Sequence, residues 1–234
     1  MRRLISKKKI RFKGNDEPSF LLNQTTFHSR PNQTLDLVEE LPSHATQDQL
    51  YKVMPNILHE IRMAQPDQMP EVYHAVELLS NQECVVEILI RVYREMNEGE
   101  FSQHFTILEV LGELRSENAV AFLKEIVWKE LPPHAPESPD DLITPRDKAT
   151  MLGAKAIHGI AYLRTEHSYE EILRVASTHE SQVVRLAAAD AYVWNRGDST
   201  DAYKDLFRVI PQEQHHRIIR RRFVSSLTMS HSKK

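Results

Sequence analysis

A chain of 234 residues, 41% hydrophobic and 27% charged, has the make-up of a soluble globular protein with room for one or two domains. A single cysteine, Cys84, excludes an intrachain disulfide framework and points to a reducing compartment. The formal charge of -3 conceals an acidic body between basic ends. Residues 1–13 hold seven Arg/Lys, residues 214–234 hold six, and neither end has an acid, which leaves 17 basic against 33 acidic residues, net -16, over 14–213.

Residues 1–34 carry no sustained periodicity and read as a basic, partly disordered arm. Their opening, "MRRLISKKKIRFKG", lacks a signal-peptide core, and no later stretch is apolar enough to span a bilayer. The expected location is the cytoplasm. An organellar presequence stays open, because the opening is Arg/Lys-rich and acid-free although poor in serine.

From there the periodicity is helical. Leu50, Val53, Met54, Ile57, Leu58 and Ile61 follow i, i+3, i+4, i+7, with Pro55 inside the run expected to kink it or divide it. Further helices are predicted at about 70–79, 83–97, 103–115, 117–130, 146–164, 168–178, 181–195 and 200–210, with a less regular one at 213–228. Ser80 with Glu83 and Ser168 with Glu171 fit capping boxes, and Thr144-Pro145 fits an N-cap followed by proline at the first helical position. Gly197 and Pro211 mark helix ends. No stretch alternates as a strand does, so the expected class is all-α.

"FTILEVLGELRSENA", "MLGAKAIHGIAYLRTEHS" and "VRLAAADAYVWNRGDST" each place small or aliphatic residues at helical spacing before a bulky residue, a polar exit and a second amphipathic helix. Taking Leu114, Leu163 and Trp194 as equivalent gives periods of 49 and 31 residues, the first lengthened by a proline-rich insertion at 131–145. Without it both periods fall in the thirties, the size of a two-helix solenoid unit. In such a stack Ala187, Ala188, Ala189 and Ala191 let neighbouring helices approach, and Tyr203, Leu206 and Phe207 bring volume on the partner helix. Leu111, Leu163 and Trp194 belong to the same expected core or to the contacts between units.

The pattern resembles HEAT-type repeats, best over "ESQVVRLAAADAY" and by periodicity alone before residue 100. The resemblance implies a right-handed α-α superhelix of about five helix pairs with a capping C-terminal helix. It would span 35–228 as one solenoid, with a disordered basic tail at 229–234. In that family the residue matched by Arg185 often bridges units through acids and backbone carbonyls, with Asp190 a candidate partner here. An exposed arginine at a helix start is the plainer reading.

His59-Glu60 and His179-Glu180 resemble the His-Glu ligand pairs of HEAT-like di-iron deoxyhypusine hydroxylases, but they stand in different helix registers and no full ligand set accompanies them. His215-His216 has no third ligand at zinc spacing. Cys84, at a polar helix start, has no histidine fixed beside it and reads as a plain helix residue. The sequence holds no GxxxxGK[ST], HExxH or GxSxG motif. No catalytic residue, cofactor or metal is therefore predicted.

The expected function is a non-catalytic scaffold or assembly adaptor that binds a protein partner, a second copy of itself included. Its predicted interaction residues are Pro132, Pro133, His134 and Pro136, with Asp140 and Asp141 behind them, and the basic Arg217, Arg220, Arg221 and Arg222. Prolines stiffen the insertion and reduce the entropy lost on docking. HEAT-like alkylpurine DNA glycosylases offer an alternative, since Trp128, Trp194, Asp190 and Arg185 supply similar chemistry, yet duplex binding favours a basic stripe and this body is acidic. HEAT-like phycobiliprotein lyases are a further likeness, with no cofactor contact to assign. A basic cleft exposing Trp128 or Trp194 would favour the enzyme, and buried indoles the adaptor.

Overall fold

Proline at the first helical position and a threonine before it begin a helix, as the sequence predicts. The Thr144 hydroxyl accepts from the Asp147 N–H, and the Asp147 carboxylate accepts from the Thr144 N–H. In the computed structural model, which describes residues 34–133, 143–215 and Ile218, this is the seventh of ten α-helices. They are α1 (Thr34–Glu39), α2 (Gln47–Met63), α3 (Met69–Leu79), α4 (Val85–Glu95) and α5 (Phe101–Glu113). After them come α6 (Val120–Val127), α7 (Pro145–Tyr162), α8 (Glu166–Thr178), α9 (Gln182–Asn195) and α10 (Thr200–Val209). Short 3-10 turns stand at Pro66–Gln68, Glu117–Ala119 and Gln212–Gln214, and no strand occurs among the described residues. The chain divides at Pro31, and every described residue belongs to the unit Asn32–Lys234.

The expected helices form, with corrections at their ends. α2 runs unbroken through Pro55, so that residue divides nothing. Ser80 closes α3 instead of opening α4: its hydroxyl donates to the Glu77 carbonyl at 2.6 Å, and Cys84 takes the N-cap of α4. Ser168 is the third residue of α8, and Thr165 is its cap, accepting from the Ser168 N–H at 3.2 Å. Thr34, assigned to the arm, opens α1 and is buried. The predicted last helix is described only as far as the Gln212–Gln214 turn, His215 and Ile218.

The odd-numbered helices α5, α7 and α9 pack side by side, α5 on α7 and α7 on α9. The even-numbered ones link them: α6 packs on α7, α8 on α9 and α10 on α8. Alanines allow the approach at α9, where Ala188 and Ala191 are fully buried. Glycines allow it between α5 and α7. A Cβ at Gly112 would stand 3.0 Å from the Gly159 Cα, closer than carbon atoms pack. Leu111, Leu206 and Tyr192 fill the core, and Phe207 is half-buried against it.

The links after α5, α7 and α9, unlike those after α1 and α3, place a left-handed residue directly before a hydroxyl residue at the N-cap position of the next helical turn. After α5 that turn is the 3-10 turn Glu117–Ala119, and Ser116 makes no side-chain cap bond there. Arg115 (φ 50°) precedes Ser116, Arg164 (φ 54°) precedes Thr165, and Asp198 (φ 54°) precedes Ser199. The caps are 49 and 34 residues apart. In this register Leu114 and Leu163, each just before the left-handed residue, correspond to Gly197 and not to Trp194. The exit of α9 is longer, with Gly197 (φ 73°) also left-handed and the Asp198 N–H reaching back to the Val193 carbonyl. Trp194 therefore falls outside the core stripe and is 68% exposed, which corrects its assignment as a core residue. Leu163 caps α7 and is only half-buried.

Candidate interaction groove

α3 does not pack along α5 as α7 does, and the space between them is a groove of about 460 Å³. Its floor is aliphatic: Val72 and Val76 from α3, Val110 from α5 and Ile61 from the end of α2, all buried. Its α5 wall is a four-residue stripe, Phe101, Phe105, Glu109 and Glu113, distinct from the stripe Ile107, Leu108 and Leu111 that faces the core. Three large apolar side chains stand open at or beside the groove: Tyr73 at 53%, Met151 at 39% and Met63 at 56% exposure. Full burial of such a side chain is worth about 1.5–3 kcal/mol, and at these exposures roughly half of that is forgone for each, which is what makes a grouped set a candidate surface.

A cation already sits on this wall. The Lys155 ammonium lies 2.8 Å from Glu109 Oε1 and 5.0 Å from the Phe105 ring centre, an ion pair and a cation–π contact together. One turn further along α5, the half-buried Glu113 has no ion-pair partner among the described residues. Beyond it stands Tyr162, whose hydroxyl burial holds above the usual phenol range, with Glu113, Glu109 and Tyr73 adding to the rise.

A second polar cluster joins α6 to α8. Glu171, only 7% exposed, accepts from Trp128 Nε1–H at 2.8 Å and from the Arg174 guanidinium at 2.6 Å, with the Lys124 ammonium at 3.3 Å. Burial alone would push its carboxyl up; the hydrogen bonds from Trp128, Arg174 and Lys124 outweigh it and hold the carboxyl below its ordinary value. The Arg174 guanidinium lies 4.7 Å from the Trp128 ring centre. Trp128 is thus gripped at its edge and on its face, though 38% exposed.

Several residues singled out from sequence lie within the described part of the chain. The His179 Nε2–H donates to the Val127 carbonyl at 2.9 Å and its Nδ1 accepts from the Ser181 N–H at 3.0 Å, so neither ring nitrogen is left for a metal. Glu180 takes the Leu131 N–H at 3.3 Å and Arg146 at 3.5 Å. His59 accepts from Arg62 at 3.1 Å. Among the described residues no group of three or more His, Cys, Asp or Glu side chains is arranged to hold a metal ion. Arg185 donates to the carbonyls of His179 and Glu180, in the link that leads into its own helix. His215 stacks on Phe207 with ring centres 4.2 Å apart. Pro132 and Pro133 begin the insertion, and the Pro132 carbonyl accepts from Arg146 at 2.7 Å. His134, Pro136, Asp140, Asp141, Arg217, Arg220, Arg221 and Arg222 lie outside the described residues.

No family model, no curated protein and no solved structure matches the chain. What the fold defines is therefore a class: an all-α, multi-helix protein in which, among the described residues, no helix is long and apolar enough to cross a membrane.

Proposed function

We propose that this chain is a protein–protein interaction adaptor built as a HEAT-like α-solenoid. The solenoid reading is supported by the side-by-side packing of α5, α7 and α9, by the recurring left-handed residue and hydroxyl cap, and by the reach of Arg185 to backbone carbonyls. The observation that carries the adaptor reading is the groove between α3 and α5, where Tyr73 and Met151 are exposed over an aliphatic floor.

Two observations favour the alternative of a nucleic-acid enzyme of the glycosylase kind: Trp194 is exposed, one helical turn after Asp190, and Trp128 is exposed too, so the buried indoles expected of an adaptor are not found. Two weigh against it. Arg185 is committed to carbonyls, and the body that would meet phosphates is acidic.

The test is purification of the tagged full chain from its native cells after cross-linking, beside a Tyr73→Glu/Met151→Glu variant. Both positions are exposed, so the variant keeps the fold. The expected result is a protein recovered in fixed ratio with the native chain and lost from the variant. A chain recovered alone, or one that retains a 20-base-pair duplex at physiological salt and loses it on Trp194→Ala, would overturn the adaptor reading.

A further inference from the structure

From the walls and charges of the groove we infer that it receives an amphipathic α-helix of a partner protein. The apolar stripe of that helix would lie on Val72, Val76 and Val110, with a Lys or Arg beside the stripe on Glu113. The inference rests on the adaptor reading and names the kind of partner for it.

Three observations select this occupant. Both walls are α-helices that do not pack along each other, and their side chains stand in ridges at four-residue spacing. Ridges of that kind interdigitate with those of a third helix, and the anchors of such a helix recur at i, i+3 or i+4, and i+7. An extended peptide that adds to a sheet finds no strand among the described residues.

The second observation is charge. Glu113 borders the aliphatic floor without a basic partner among the described residues, in a body of net -16. The cation in the groove's own lining is Arg62, at the end of α2, which bonds His59. A basic side chain arriving there meets a carboxylate beside an apolar floor and is steered by the body as a whole. The third is an internal precedent. One turn earlier on the same wall, Lys155 makes that contact within the chain, its ammonium on Glu109 and over Phe105. Glu113 repeats the acid of that arrangement one turn on, with Tyr73 across the groove.

The test uses a phage-displayed library of randomised helical 16-mers selected against the full chain, then synthetic peptides of the enriched sequences measured by fluorescence anisotropy. The expected winners carry apolar residues at i, i+3 or i+4 and i+7 with Lys or Arg adjacent. Their binding should weaken about tenfold or more on Glu113→Lys, and likewise on Met151→Glu. A Lys→Glu exchange in the peptide should restore binding to the Glu113→Lys chain. Circular dichroism of each variant separates lost binding from lost fold.

No enrichment, enrichment of acidic or uncharged helices, or indifference to both substitutions would overturn the inference. So would self-association of the native chain that Met151→Glu abolishes, because the occupant would then be a second copy. If native capture succeeds and is unchanged in the Tyr73→Glu/Met151→Glu variant, the groove inference fails and an adaptor that works through another surface remains. If native capture fails while the library behaves as expected, it is the adaptor reading that falls.

Discussion

Gly112→Ala tests whether α5 and α7 meet as closely as their glycines allow. The added methyl carbon would lie 3.0 Å from the Gly159 Cα, against about 3.5–4.0 Å for carbon atoms in contact. The Gly159 Cα is backbone, so relief requires the two helices to part. Overpacking of this kind costs about 1–3 kcal/mol, and alanine returns about 1 kcal/mol of helix propensity, for a net loss of up to about 2 kcal/mol. At about 2–4 °C per kcal/mol for a chain of this size, Tm should fall by up to about 8 °C instead of rising. Gly153 provides the control, since a Cβ there would stand 3.4 Å from a Val184 methyl, an ordinary contact. Gly153→Ala should raise Tm by about 2–4 °C, because only the propensity gain remains. Thermal unfolding followed at 222 nm, with urea titration for the free energies, reads both. If Gly112→Ala stabilises the chain as much as Gly153→Ala does, the close crossing of α5 and α7 is wrong.

Glu171→Gln should flatten the acid limb of stability. The Glu171 carboxyl is held below its ordinary value in the folded chain, so its contribution is present above the unfolded-state pKa and is lost as pH falls through the folded one. Urea unfolding between pH 3 and 7 should show the native and variant curves converging toward acid, with the native chain more stable by about 1–3 kcal/mol near pH 7; parallel curves would remove the cluster from the account. Leu206→Asp puts a carboxylate where a side chain is fully buried, forfeiting about 1.5–3 kcal/mol of apolar burial before the charge is counted. Stacked units should lose α9 and α10 first, so that limited proteolysis leaves a protected fragment ending near Thr178; loss of all helicity in one step would count against a repeat array.

Most helices were legible because their apolar residues recur at helical spacing, as Leu50, Met54, Ile57 and Ile61 do, and periodicity survives without knowledge of tertiary neighbours. Capping was legible only where the competing geometry is weak. Thr144-Pro145 has one reading, but Ser80 can serve either end of a helix, and its hydroxyl bonds backward to Glu77. Trp194 was misplaced because the period was counted by bulk, whereas the links set it, and the α9 exit holds an additional left-handed residue. The groove had a readable signal in Phe101, Phe105, Glu109 and Glu113, a second stripe beside the core one on α5. The Trp128–Glu171 bond had none, since 43 residues separate the partners and only packing brings them together.

The pinned base of the proline-rich insertion has a consequence of its own. Arg146 holds the Pro132 carbonyl across 14 residues of sequence, and Glu180 holds both the Leu131 N–H and Arg146. The two ends of that stretch are thus tethered by side chains that belong to α7 and to the start of α9. A neck closed in this way works as a grafting port. Doubling the stretch above it should cost only about 0.6 kcal/mol of closure entropy, so a foreign epitope or a small folded module can be spliced there while the helices below keep their places.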